Sequence, residues 1–375
     1  MFSSTAPSFG VRGRWIGLRN RLLASPRFQR FATRFPPTRP VARRHARALF
    51  DLVAGFTYSQ ILAACVESGL LEVLADGPQG TAAVAARVDL PVEGAERLLR
   101  GAAALGLVEP LGRHWALGVG GAALRGNRGV AEMVAHHRLL YADLADPLGL
   151  LRRGGGGGAL SGLWGYAEAA GTGDAAAVAA YSALMAASQP MVAAQAIDAY
   201  PFRRHARLLD VGGGEGTFLQ AVGTRVQDLQ LGLFDLPAVA DRARARFAST
   251  DLAGRVTTFG GDFLADPLPR GFDVISLVRV LHDHDDGPAL TLLRAVHDAL
   301  PPGGTLFIAE PMAGVRGVEP VGDAYFGFYL LAMGSGRPRT HAEIAAMLRQ
   351  AGYERPRPLK TAMPLTTSVM TALRT

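Results

Sequence analysis

Apolar residues recur at helical spacing between Ala48 and Leu74, at Leu49, Leu52, Val53, Phe56, Ile61, Leu62 and Leu70. This spacing predicts a long amphipathic helix with a break near Gly69. TAAVAARVDLP predicts a short helix ended by Pro91, VEGAERLLRGAAALG another, and LVEPLGRHWALG two short strands about a tight turn. Three helices and a two-stranded wing make a winged-helix pattern. Residues 130–152 predict a further helix, Gly154 to Gly158 a loop, and Asp174 to about Ala199 an alanine-rich helix. Beyond it the pattern changes. Near-continuous apolar runs at 207–211, 230–234, 256–259, 272–278 and 304–309 alternate with helices, the signature of a parallel sheet covered on both faces. The tail from Arg355 to Arg374 reads as an antiparallel pair closing that sheet. The predicted class is α/β: a Rossmann-like, mostly parallel sheet with antiparallel C-terminal strands, preceded by a mainly helical winged-helix domain.

The 375 residues suit two domains with appendages, and about half are apolar. No run reaches the roughly 18 unbroken apolar residues of a membrane span. Cys65 is the single cysteine, so no internal disulfide can form; with no signal-peptide core at the N-terminus, this points to the cytoplasm. Of the net charge of +7, residues 1–50 carry +11, leaving −4 on the rest. Eleven arginines lie between Arg12 and Arg47, and the first acidic residue is Asp51. Interleaved with them are Trp15, Ile16, Leu18, Leu22, Leu23, Phe28, Phe31 and Phe35. That composition suits an arm lying peripherally on an anionic membrane surface, or one packed on its own protein or a dimer partner. The winged-helix pattern also raises DNA binding. Its recognition helix, however, would offer only Arg97 and Arg100 beside Glu93 and Glu96, so no nucleic-acid partner is expected.

The candidate chemistry collects at strand ends. LLDVGGGEG (Leu208 to Gly216) follows a strand and opens a helix, and its glycines let the backbone turn sharply and approach a ligand. Alone, such a loop also suits nicotinamide or flavin. Here the spacing is G-x-G-x-G, with Asp210, Gly212 and Gly214 in the loop. Asp235 ends the next strand, where it can accept ribose hydroxyls, and Asp262-Phe263 offers a carboxylate and a ring near an adenine. PPGG (Pro301 to Gly304) then turns into the fifth strand. The combination points to S-adenosylmethionine, whose ammonium and sulfonium charges give Asp210 a use.

The strand FDVISLVRV runs into Leu281-His282-Asp283-His284-Asp285-Asp286, at the edge where open α/β sheets bind ligands. Methyl transfer to oxygen needs position and proton removal, and a neutral histidine is the usual base. His282 is the candidate. The same residues could instead ligate a divalent metal, but methylation of a hydroxyl by a sulfonium does not require one, and no metal is expected. Asp285 and Asp286 also read as a helix N-terminus.

LLDVGGGEG, GLFDLP, GDFLADPLP, LVRVLHDHDD, ALPPGGTLFIAE and GRPRTHAEIAAMLRQAGY, in that order, resemble the homodimeric small-molecule O-methyltransferases of plant caffeate type and their bacterial relatives. The likeness covers about residues 49–375. Beside the basic arm over 1–48 that charge and composition mark out, it implies a winged-helix dimerisation and substrate-pocket domain over 49–185 and a methyltransferase domain over 186–375. It also implies His282 as base and Asp298 as the carboxylate that orients it. Asp210, Gly212, Asp235, Asp262 and Phe263 would be the cofactor contacts. Two positions depart from the family. Pro338 in GRPRT replaces a second glutamate, and His284 stands where a cofactor-stacking tryptophan is common.

The arm, LFDLVAGFTYSQILAACVESGL and HHRLLYADLADP look most like the bacterial carotenoid O-methyltransferases, which methylate the tertiary 1-hydroxyl of acyclic carotenoids such as hydroxyneurosporene and demethylspheroidene. The expected product is S-adenosylhomocysteine, and the expected acceptor is apolar. His136, His137, Tyr141, Trp164, Tyr166, Met185, Phe326, Tyr329 and Met333 are candidates for its pocket, though each could equally be core. A phenolic or polyketide hydroxyl, a bacteriochlorophyll precursor, or a regulator that binds the cofactor without turnover are the alternatives.

Overall fold

Three helices open the chain, α1 (Gly10–Ala24), α2 (Pro26–Arg34) and α3 (Arg39–Glu67). Pro26 and Pro40 stand in the first turns of α2 and α3, where a missing N–H breaks no helical bond. α3 begins well before Ala48, because its arginine- and alanine-rich start has good helix propensity but no apolar period. Gly69, at φ +68°, separates it from α4 (Leu70–Ala75), as the sequence predicts. The computed structural model describes residues 10–162, 189–190, 192–365 and 367–375. Trp164, Tyr166, Met185 and most of the alanine-rich helix lie outside these residues. The chain divides into two units, residues 1–121 and 122–375.

In the first unit, α5 (Thr81–Arg87) and α6 (Val92–Ala104) are followed by the wing. β1 (Gln79–Gly80), β2 (Val108–Leu111) and β3 (His114–Leu117) form an antiparallel sheet in the order β1-β3-β2. Trp115 Nε1 donates to Thr81 Oγ1 at 3.0 Å, tying the wing to the start of α5. On α6, Arg100 is paired with Glu96 at 2.6 Å.

Past α7 (Val119–Arg125), the predicted single helix over 130–152 is two, α8 (Arg128–Asp143) and α9 (Pro147–Arg152). The Asp146 carboxylate accepts from Gly149 N at 3.0 Å and Pro147 opens the new helix, a local start signal inside an otherwise helical run.

The second unit is built on a seven-stranded sheet of β4 (Arg207–Val211), β5 (Gln230–Asp235), β6 (Val256–Gly260), β7 (Val274–Val278), β8 (Thr305–Glu310), β9 (Tyr353–Leu359) and β10 (Ser368–Arg374). Their order is β6-β5-β4-β7-β8-β10-β9, with the first five parallel and the last two antiparallel. Side chains alternate between two cores: on β8, Leu306 and Ile308 face one, Phe307 and Ala309 the other. The first core is closed by α12 (Asp286–Ala299) and α14 (His341–Gln350), the second by α10 (Thr217–Arg225) and α11 (Pro237–Phe247). Strand order reverses between β4 and β7, which opens a crevice at their C-terminal ends.

Candidate active site

The glycine loop leaves β4 at this crevice. Gly212 has φ +68°, and a Cβ there would lie 2.7 Å from Val280 Cγ2, so both conformation and space demand glycine. Gly214 also has a positive φ, and open space lies where its Cβ would be. Asp210, the last polar residue of β4, is fully buried and lies in register with Ser276 of β7. Ser276 Oγ donates to Asp210 Oδ1 at 2.6 Å, while Oδ2 has no partner among the described residues. Burial pushes the Asp210 carboxyl up to about 7, against the pull of the Ser276 hydroxyl and with a further push from Asp235. A buried acceptor lacking a donor costs stability, so such an oxygen beneath a glycine turn fits a cationic group of a ligand.

Asp235, ending β5, accepts from Gly214 N at 2.7 Å and from Leu236 N at 2.8 Å. It thereby fixes the loop's shape from the neighbouring strand. Past β6, Asp262 braces its own turn by accepting from Leu264 N at 2.8 Å. The Phe263 ring stands edge-on to His284, 5.4 Å between centroids. Loop, Asp235, Phe263 and His284 therefore share the C-terminal edge of the sheet, and the carboxylate acceptors Asp210 and Asp235 fit a nucleoside with an ammonium-bearing tail.

β7 runs into Arg279, held at φ +59°, a conformation that costs a non-glycine residue energy and concentrates at functional sites. His282 follows in a single 3₁₀ turn (Leu281–Asp283) and is buried. Its Nε2 lies 3.1 Å from Asp283 Oδ1. An ionised carboxylate can only accept, so Nε2 carries the hydrogen and Nδ1 the lone pair. Nδ1 has no partner among the described residues.

The second carboxylate at this histidine is Glu310, fully buried at the end of β8, whose Oε2 accepts from the His282 backbone N–H at 3.1 Å. Burial alone would lower the His282 pKa. Asp283, by charge and hydrogen bond, and then Glu310, by charge, outweigh it and raise the pKa above its usual value. Glu310 itself is raised by burial, against the pull of His282 and Arg339.

Asp298 is not the orienting carboxylate that the family likeness implies. It sits near the C-terminal end of α12, at the opposite edge of the sheet, with its side chain 75% exposed and 3.6 Å from His297. A helix that starts just after His282 carries its far end away from it. Glu310 closes the apolar run TLFIAE one residue past the predicted strand 304–309, at the ligand edge, where an acid is the signal that marks it.

Arg339, the residue after Pro338, is fully buried. It donates from Nη1 to the Leu281 carbonyl at 2.9 Å, from Nη2 to the His284 carbonyl at 2.7 Å and from Nε to Asp286 Oδ1 at 2.9 Å. One planar cation thus clamps the turn on both sides of His282.

A π-helical stretch (Pro320–Phe326) runs into α13 (Gly327–Met333) and presents an aromatic wall. The Phe326 ring lies 5.9 Å from His282 and 4.9 Å from Tyr325. From α8, His137 Nε2 reaches the Tyr325 hydroxyl at 2.7 Å and His136 Nε2 the Tyr329 hydroxyl at 2.9 Å. Tyr141 adds its ring to His137, at 6.1 Å. Burial and then His137 bring the His136 pKa down to about 4, burial lowers His137, and burial pushes Tyr325 up to about 12. The four polar tips serve one another and carry no charge near neutrality. Met333 lies deeper, in a cluster with Leu140, Leu150 and Leu330. Trp164, Tyr166 and Met185, the other pocket candidates, are outside the described residues. Among those residues, no group of three or more His, Cys, Asp or Glu side chains is placed to hold a metal ion.

Comparison with known proteins agrees with this geometry. An O-methyltransferase domain matches residues 141–354, and an O-methyltransferase dimerisation domain matches residues 50–115. The demethylspheroidene O-methyltransferase of Cereibacter sphaeroides is 44% identical over 94% of each chain. That of Rhodobacter capsulatus is 41% identical over 94% of this chain and 88% of its own. Among solved structures, the mitomycin 7-O-methyltransferase MmcR superposes with a TM-score of 0.73 at 25% identity, covering 90% of this chain and all of that one (100%). The chain therefore belongs to the O-methyltransferase family, as an S-adenosylmethionine-dependent enzyme that carries the family's dimerisation and catalytic domains.

Proposed function

We propose that the enzyme methylates the tertiary 1-hydroxyl of an acyclic hydroxycarotenoid, of hydroxyneurosporene or demethylspheroidene type, with His282 as general base. The observation that carries the acceptor is the likeness to the two demethylspheroidene enzymes, which covers 94% of this chain. The neutral aromatic wall of Tyr325, Phe326, Tyr329, His136 and His137 supports it, since a long polyene offers π surface and few polar groups.

S-adenosylmethionine supplies a methyl carbon already activated by its sulfonium and leaves as S-adenosylhomocysteine. The chain's residues bind and orient. Asp210 would meet the cofactor's cationic tail, Gly212 and Gly214 would let the backbone approach it, Asp235 would take the ribose hydroxyls, and Asp262 and Phe263 would border the adenine. His282 takes the acceptor's hydroxyl proton on Nδ1 as the new C–O bond forms, and afterwards returns it to solvent. An alkanol is far less acidic than a phenol, so the proton must leave during bond formation, and a histidine made more basic by Asp283 and Glu310 suits that task.

The acceptor is lipid-soluble. The homodimer therefore works in the cytoplasm at a membrane surface. The test is incubation with methyl-labelled S-adenosylmethionine and, separately, a 1-hydroxylated acyclic carotenoid, a phenol and a chlorophyllide. Label is expected on the carotenoid as a methyl ether; label on the phenol alone would overturn the acceptor.

A further inference from the structure

The N-terminal helix α1 buries none of its residues. At about 100° per residue, Val11, Trp15, Leu18 and Leu22 fall in one stripe roughly 60° wide. Arg12 and Arg19 border the stripe on one side, with Ile16 and Leu23 beyond them, Arg14 and Arg21 border it on the other, and Gly13, Gly17 and Asn20 lie behind. The stripe is open: Val11 is 86% exposed, Trp15 60%, Leu18 60% and Leu22 48%. The Arg19 guanidinium sits 5.7 Å from the Trp15 ring. α2 repeats the theme, with Arg27, Arg30 and Arg34 around Phe31 and Phe35, whose exposed rings stack at 5.2 Å.

A narrow apolar stripe with arginines on each shoulder and an indole at its edge suits a helix lying in a lipid headgroup region. Apolar side chains reach the acyl boundary while guanidinium groups snorkel to phosphate. Charge complementarity separates this occupant from a second copy of the arm. Residues 1–50 hold no acidic residue and carry +11, so two arms laid together would repel. The dimerisation domain, moreover, matches from residue 50 onward, and the exposed Phe50, Leu52, Val53 and Phe56 of α3 lie within that match. α3 is the one helix among the described residues long and apolar enough to cross a bilayer, but its first turns hold Arg39, Arg43, Arg44 and Arg47. Surface attachment by α1 fits better than a crossing.

We infer that α1 anchors the enzyme peripherally on an anionic bilayer, with Val11, Trp15, Leu18 and Leu22 inserted and Arg12, Arg14, Arg19 and Arg21 on lipid phosphates. The inference takes its purpose from the proposed lipid-soluble acceptor, but its observations are those of the arm alone.

The full-length protein is floated with vesicles of phosphatidylcholine alone, or with a quarter of phosphatidylglycerol, at low and high salt. Binding is expected to the anionic vesicles only and to weaken with salt. Leu18→Asp/Leu22→Asp should reduce it more than ten-fold, and each arginine changed to Gln by about five-fold. Turnover on detergent-dispersed acceptor should stay unchanged, which certifies the fold. Equal binding to both vesicles, or undiminished binding by the double variant, overturns the inference. So does a change of oligomeric state in that variant with vesicle binding intact, which would assign the arm to a second copy. The vesicles contain no acceptor, so failure here leaves the carotenoid reading untouched, and methylation of a phenol instead would leave the anchor untouched.

Discussion

His282 donates its backbone N–H to the Glu310 carboxylate at 3.1 Å, so the end of β8 holds the turn that leaves its neighbour β7. Both residues are buried, and Glu310 Oε1 has no partner among the described residues. The contact does two jobs. It fixes the height of the histidine above the sheet, and, on the proposed role of His282 as base, it sets a carboxylate beside the ring that would take the proton.

Replacing Glu310 by glutamine separates these jobs. The amide keeps the shape but removes the charge that helps raise the His282 pKa. The acidic limb of kcat against pH should move to lower pH, because His282 then loses its proton more readily. Plateau turnover should fall by roughly ten-fold or more, because the base is weaker. A limb that stays in place would remove Glu310 from the electrostatics of the base.

Asp210 gives a second pH signature. Its carboxyl, pushed up to about 7 chiefly by burial, is partly protonated at neutrality, whereas a cationic ligand favours the ionised form. Affinity for S-adenosylmethionine should therefore rise between about pH 6 and pH 7.5 as Asp210 loses its proton. Asp210→Asn should bind more weakly and with a flatter dependence over that range. Calorimetric titration at several pH values reads both, and a wild-type affinity independent of pH would contradict the assignment.

The legible parts of the chain were those where burial imposes a pattern. β4 is covered on both faces and reads as a near-continuous apolar run interrupted by Asp210, and the predicted 207–211 is what forms. α3 starts earlier than its apolar period because arginine and alanine favour helix without marking a face. The break between α8 and α9 hides in an Asp146-Pro147 start signal within one helical run. Side-chain partnerships across the fold left no local trace. His136 and Tyr329 stand 193 positions apart, and His137 and Tyr325 stand 188 apart, so no spacing pairs them. Glu310 escaped notice because an acid at the end of an apolar run looks like the last residue of a strand. The likeness to the family pointed instead to Asp298, at the wrong end of α12. Arg339 drew no attention either, since an arginine beside a proline reads as surface until three acceptors are found around it.

Proton transfer from the acceptor to His282 Nδ1, as proposed, is tested most directly in His282→Ala by measuring S-adenosylmethionine affinity and single-turnover methyl transfer on the same preparation. The expected result is a cofactor Kd close to wild type and a transfer rate lower by roughly 10²–10⁴. Transfer at the wild-type rate, with the cofactor bound as before, would contradict it.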